Sequence, residues 1–415
     1  GGGGPCAVLP VPATGEHRWR ATKRTLTLAS TMTESAAPSD RHTVLIVGAG
    51  PAGLAVAGGL RLLGRDATVI DEAAQLGSSW REHYERLHLH TVKSHSALPG
   101  LPFPDEAPRY VPRQGVVDYL EAYARHHRIE PVGGQTVVRI TAGAAADPGA
   151  RWRVHTAGGR VLDAAQLVLA TGANREPRRP VLPGQDAFTG RVLHSHDYRN
   201  AQPFKDQCVL VVGMGNTGAE IALDLAEQGV AVALSVRSPV NIVKRDVLGR
   251  PTQLSSIALA RLPEPMGDAC ATLLRRLTVG DLSRWGLRTP AASPLRQLRR
   301  EGKTPVIDVG TLARIRRGEI TVYPGIATLM RGGVRFTDGR GQGFDSIVLA
   351  TGYQPLVQGL FPNHPLPLDE RGLPTVLHGE GALAGLHFVG YDIRQPGGLL
   401  RTIAMQAERV AGRIA

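Results

Sequence analysis

Two glycine-rich fingerprints, "VLIVGAGPAGLAVA" from Val44 and "VLVVGMGNTGAEIA" from Val209, constrain this chain more than any other feature. One such string is weak evidence in a chain with 50 glycines and 30 prolines, but two in the same context are strong. Each follows a β-branched run, 44–47 or 209–212, that reads as a buried parallel strand, and each opens a helical pattern. In such a strand, turn and helix unit the first glycine, Gly48 or Gly213, makes the tight turn. The second, Gly50 or Gly215, lets backbone approach a pyrophosphate, and the third, Gly53 or Gly218, lets the helix lie against the strand. The phosphates then rest on the helix amides. Asn216, at the start of the second helix, is counted with the nucleotide-binding residues.

The two units differ at the end of their second strands. The first closes "DATVI" on Asp71, roughly 20 residues past Gly53, where a carboxylate accepts ribose hydroxyls and repels a 2′-phosphate. That site suits FAD or NAD, and the long separation to the second fingerprint favours FAD. The second unit, "VAVALSVRS", puts Arg237 and Ser238 where the first has its acid. Arg237 can clamp a 2′-phosphate bidentately, so the second nucleotide reads as NADPH. Lys244 and Arg245 either add charge to the same phosphate or form a solvated basic edge.

The far ends repeat as well. "LVLATG" closing at Gly172 and "IVLATG" closing at Gly352 each end a segment begun by a fingerprint, and each follows an alternating hairpin pattern. Small residues there let backbone crowd against a cofactor or a domain boundary. The tail reads as a strand, a turn through Pro396, Gly397 and Gly398, then a helix, whose start near Gly398 could aim its positive end at a flavin. The fold class is therefore α/β with two Rossmann-like dinucleotide-binding domains. Residues 1–40 read as a disordered extension, 41–205 as the first part of an FAD domain, 206–352 as the NADPH domain, and 353–415 as the return to the FAD domain.

Composition excludes other classes. The net charge of +12 rests on arginines spread along the 415 residues, with no stripe and no interleaved aromatics, which argues against nucleic acid. No apolar run approaches the roughly 18 to 20 residues of a membrane span. Cys6, Cys208 and Cys270 lie far apart without CxxC spacing, so neither a disulfide framework nor a zinc or other metal site is suggested, and a reducing cytoplasm fits. The first forty residues are acid-poor and aperiodic; a transit peptide or the product of an upstream frame are alternatives to plain disorder. The Leu- and Arg-rich 254–300 region reads as helical and could wall a substrate pocket or serve a homodimer contact.

The stretches "FTGRVLHSHDY", "ERLHLHTVK", "ATGANREP", "VRSPVNIVKRDVLG" and "GKTPVIDVGTLARIRRGEITVYPGI" resemble the flavin-containing monooxygenase family, and within it the YUCCA type. The resemblance runs from about His42 onward. The family signature FxGxxxHxxxY fits through Phe188, Gly190, His194 and Tyr198, and the Baeyer–Villiger sister group has Trp where this chain has Tyr198. The resemblance implies FAD and NADPH as cofactors, and a small-molecule substrate and O2 as partners, through a flavin C4a-(hydro)peroxide. The implied reaction is oxidative decarboxylation of indole-3-pyruvate or a similar aryl 2-oxo acid to the acid one carbon shorter. N- or S-oxygenation, or an NADPH-dependent reductase or oxidase, are the alternatives. His90, Asn174 and His194 are the implied catalytic candidates, and Trp80 is counted with the cofactor-binding residues. Two departures stand out: Ala173 where YUCCA-type chains usually carry Glu, and His90 where many other family members carry Asn. The arginine bias and short C-terminal segment fit a bacterial relative.

Overall fold

The computed structural model describes residues 40–143 and 147–415. The extension 1–40 lies outside the described residues except for Asp40, which opens the first strand.

Apolar β-branched runs bounded by turns build two sheets. In the first, Asp40–Val47 pairs in parallel with Thr68–Ile70 on one side and Val161–Leu169 on the other. Val161–Leu169 does double duty on its far edge. Its first residues pair antiparallel with Trp152–Thr156, with Ala164 opposite Trp152, and its last three pair in parallel with Leu386–Phe388. One strand thus belongs both to an antiparallel meander, completed by Val137–Ala142, and to the nucleotide-binding sheet. The C-terminal strand Leu386–Phe388 pairs into the first sheet, and the helix after it packs on the same side of the fold. The helix Leu399–Ile414 lies along the first fingerprint helix Pro51–Leu62, where Ile403, Ala407 and Val410 share a buried cluster with Leu54, Ala57 and Leu60.

The second sheet is wholly parallel, in the order Ile320–Tyr323, Ala231–Ser235, Cys208–Val212, Ser346–Leu349, Arg191–His194. Val209, Leu210 and Val211 have no exposed surface, as strands covered on both faces require. The edge strand corrects the boundary read at 205: Arg191–His194 is hydrogen-bonded into the second sheet, so the crossing into that domain comes before it. A three-stranded antiparallel meander, Ile326–Met330, Gly333–Phe336 and Gly341–Gly343, and three helices, Thr252–Leu259, Glu264–Thr278 and Pro294–Glu301, complete this half. Among the described residues Cys270 is free and exposed. Among the described residues no helix is long and apolar enough to cross a membrane, and no cluster of His, Cys, Asp or Glu could hold a metal ion.

Burial sets an acid limit on this fold. His387, on the last strand of the first sheet, is 4% exposed and is hydrogen-bonded to Gln166 and His378, each at 2.9 Å. Burial, reinforced by His378 and Arg413, pushes its pKa down from 6.5 to about 4, and burial does the same to His83. Both rings are held neutral when folded but protonate earlier when unfolded. Their contribution is therefore present above about 6.5 and is lost as pH falls toward about 4. Thermal melts should show a midpoint that is flat above that window and falls through it, and His387→Asn should flatten part of the slope.

Candidate active site

The fingerprints adopt the backbone their glycines suggest. Gly48 and Gly213 have φ of 109° and 103°, and a Cβ on either would stand 2.5 Å from Ala170 O or 2.6 Å from Ala350 O. The crowding carbonyls belong to the two ATG turns, so the repeated tripeptide closes over the repeated fingerprint. A Cβ on Gly53 or Gly218 would meet the carbonyl of Gly48 or Gly213 at 1.8 or 2.0 Å, which is the close packing of helix on turn. Gly50 and Gly215 face open space and cap their helices without any side-chain hydrogen bond. Both helix N-termini therefore keep free amides for an anion.

Around the first fingerprint, Asp71 is fixed by the Ala49 and Ala73 N–H groups, which donate to Oδ2 at 2.5 Å and Oδ1 at 2.8 Å. A carboxylate has about four acceptor positions, so two bonds leave room for ribose hydroxyls. These residues fit an adenine dinucleotide. Trp80 is half-buried against the adjoining apolar cluster, tilted over His83 at 6.3 Å between ring centroids.

A cavity of 1520 Å³ opens between the two domains. It brings together Gly213, Gly215, Asn216, Arg237 and Ser238 of the second fingerprint unit, Asn174 after the first ATG turn, and Gly397 and Gly398 of the C-terminal turn. Asn216 spans neighbouring segments: its Oδ1 accepts from Ile307 N at 2.7 Å and its Nδ2 donates to Pro305 O at 3.4 Å. The guanidinium of Arg237 is exposed on the wall and makes no hydrogen bond or ion pair among the described residues. Lys244 lines the same wall, but Arg245 does not. Arg245 stacks over Tyr110 at 4.2 Å and approaches Asp246 Oδ2 at 3.5 Å, so it docks a loop of the flavin-side domain instead of facing phosphate. Gly398 has φ of 92°, and a Cβ there would sit 2.4 Å from Thr91 Cγ2, which seats the uncapped start of the C-terminal helix on the cavity wall.

The histidines depart from expectation. His194 is fully buried; its Nδ1 accepts from His196 N at 3.0 Å, and its Nε2 lies 3.1 Å from the Gly352 carbonyl. With both nitrogens engaged by backbone, it braces the second ATG turn and has no free nitrogen for substrate. Burial also holds its pKa below the ordinary histidine value. His90 does not line the cavity either. Its Nε2 lies 2.6 Å from Oε1 of Glu220, close but off the line of a hydrogen bond. Glu220, on the second fingerprint helix, is 3% exposed and also accepts from the Tyr84 hydroxyl at 3.2 Å. Burial, with the carboxylate beside it, raises the Tyr84 pKa well above its ordinary value. The imidazole, phenol and carboxylate form a clasp between the domains.

Three contributors escape sequence reasoning. Glu220 sits in an apolar helical stripe with nothing to mark it. Gln253 accepts from Val92 N and donates to Gly397 O, both at 2.6 Å, tying three distant segments at the cavity wall. Arg275 reaches the wall from the face of Glu264–Thr278 that also carries Ala271 and Leu274.

Residues 45–262 match the family model described as pyridine nucleotide-disulphide oxidoreductase. The chain is 43% identical over 312 residues to the indole-3-pyruvate monooxygenase YUCCA1 of Oryza sativa subsp. japonica, covering 75% of this chain and 76% of the relative. It is 38% identical over 377 residues to indole-3-pyruvate monooxygenase YUCCA6 of Arabidopsis thaliana, covering 88% of each. Among solved structures, a flavin-containing monooxygenase from Stenotrophomonas maltophilia superposes with a TM-score of 0.69 at 22% identity, over 90% of this chain and 98% of that one. The fold, the paired fingerprints and these identities converge: the chain is a flavin-dependent oxidoreductase belonging to the YUCCA-type monooxygenase family.

Proposed function

We propose that the chain binds FAD at the first fingerprint and NADPH at the second, and decarboxylates indole-3-pyruvate or a similar aryl 2-oxo acid oxidatively. In balance, the 2-oxo acid, O2, NADPH and a proton give the acid one carbon shorter, CO2, water and NADP⁺. The observation that carries this reading is the shared cavity, which joins the second nucleotide's residues to Asn174 and the Gly397–Gly398 turn. Bound FAD would accept hydride and activate oxygen.

The chain's own residues supply position. The amides beside Gly215 and Asn216 hold the pyrophosphate, and Arg237 with Ser238 holds the 2′-phosphate. Asn174 offers an amide to whatever lies between the nucleotide and the flavin-side domain. The three helices between Thr252 and Glu301 line one wall of the cavity. Because the Arg237 side chain has no partner among the described residues, Arg237→Ser removes only the contact with nucleotide. Its KM for NADPH should rise about 10- to 150-fold, from about 1.5–3 kcal/mol for hydrogen bonds to a charged group, with a far smaller change for NADH. Steady-state kinetics with both nucleotides check this.

The test of function is hydrogen peroxide released per NADPH oxidised by FAD-loaded protein in air, with and without indole-3-pyruvate. Peroxide falling toward zero while indole-3-acetate appears supports the proposal. Peroxide that stays stoichiometric defeats it and leaves an amine, a sulfide, another oxo acid or plain oxidase activity.

A further inference from the structure

We propose that Arg275 anchors the carboxylate of the substrate at the helical wall of the cavity, and so determines specificity for acids. The inference deepens the reading of an aryl 2-oxo acid substrate and rests on it. Arg275 is 8% exposed, yet no carboxylate among the described residues lies within ion-pair distance of it. Its Nη1 donates to Asn241 Oδ1 at 2.7 Å and reaches Pro290 O at 3.5 Å, while Nε and Nη2 make no hydrogen bond among the described residues. Asn241 is itself held by the Ala292 carbonyl and the Gln297 amide, so the ring of groups around the guanidinium is neutral.

The neighbours are treated differently. Arg296 and Arg299 both pair with the single carboxylate of Asp268, at 3.2 and 2.8 Å. An arginine cannot discharge by losing its proton, so a buried one without a counter-ion is costly unless a ligand completes it. Burial, with Arg276 nearby, already lowers its pKa. Its guanidinium is a planar fork that matches a carboxylate, and Leu259, Leu274 and Leu295 on the same wall suit an aryl body. The nucleotide's 2′-phosphate is the other anion available. Arg237, Ser238 and Lys244 already stand ready for it, which favours the substrate for Arg275.

The test is fluorescence titration of FAD-loaded protein with indole-3-acetate, with its neutral isostere indole-3-acetamide, and with NADP⁺. The wild-type chain should bind the acid at least tenfold more tightly than the amide. In Arg275→Gln that preference should collapse toward unity, Arg275→Lys should restore part of it, and the Kd for NADP⁺ should change far less than that for the acid. A wild type that does not discriminate, or a preference that survives in Arg275→Gln, overturns the proposal. A variant that weakens NADP⁺ more than the acid assigns the guanidinium to nucleotide phosphate and overturns it too. The same titrations with phenylacetate and phenylacetamide separate the two readings: an Arg275-dependent acid preference without indole-3-pyruvate turnover keeps the carboxylate anchor and sinks only the indole assignment.

Discussion

Gly213→Ala should purify yellow, with a full complement of flavin, and yet fail to be reduced by NADPH, whereas Gly48→Ala should purify without flavin. The two substitutions are the same chemically and fall at equivalent places in the repeat. At each, the φ above 100° lies where an alanine is strained, at about 1–3 kcal/mol, and the new Cβ would overlap a carbonyl oxygen of the facing ATG turn. The turn must open, which withdraws the helix amides from the pyrophosphate. What differs is the nucleotide each turn serves. Anaerobic stopped-flow reduction of Gly213→Ala by NADPH should slow by at least a thousandfold, an expectation on the order of 4 kcal/mol. Dithionite should still bleach its flavin at the wild-type rate, because the first fingerprint is untouched. A Gly213→Ala protein that loses flavin, or a Gly48→Ala protein that keeps it, would reverse the assignment of the two sites.

The repeat was legible because it is local. Strand, turn and helix lie within one short stretch, so the spacing of Gly48, Gly50 and Gly53 carries the whole of its geometry. The contrast of Asp71 with Arg237 is local in the same way: Asp71 follows the strand Thr68–Ile70 directly, and Arg237 lies two residues past Ala231–Ser235. Groups whose partners lie far off along the chain were not legible. Nothing near His194 announces that its nitrogens meet His196 and Gly352, and a histidine in a family signature reads as chemistry until its burial is known. Arg245 and Lys244 are neighbours in sequence, but Lys244 ends the strand Ile242–Lys244 and lines the cavity, whereas Arg245 lies past that strand and stacks on Tyr110, a partner far off along the chain. The Arg191–His194 strand shows the same limit at the level of domains. It precedes the second fingerprint in the chain, but its hydrogen-bonding edge is paired by Ser346–Leu349, which comes far later.

Glu220 shows how much that distance matters, because there, as at Gln253, the two domains share a buried polar contact. Glu220→Ala should destabilise the protein by about 1–3 kcal/mol, the usual cost of leaving a buried polar group without its partner. The carboxylate serves two groups of the other domain, His90 at 2.6 Å and the Tyr84 hydroxyl at 3.2 Å, and its loss leaves both facing a void where water cannot enter freely. Glu220→Gln should cost less, since its amide oxygen can still accept from Tyr84. Because the contact crosses the cleft, its loss should also loosen the register of the nucleotide helix against the flavin side. Hydride transfer should then slow in Glu220→Gln even at saturating NADPH, with nucleotide affinity little altered. A double-mutant cycle of Glu220→Gln with Tyr84→Phe, read by denaturant unfolding, should return a coupling of about 0.5–3 kcal/mol. Additive single changes would mean that Glu220 merely fills space, and the domains are then held by Gln253 and the stacked Arg245 and Tyr110 without it.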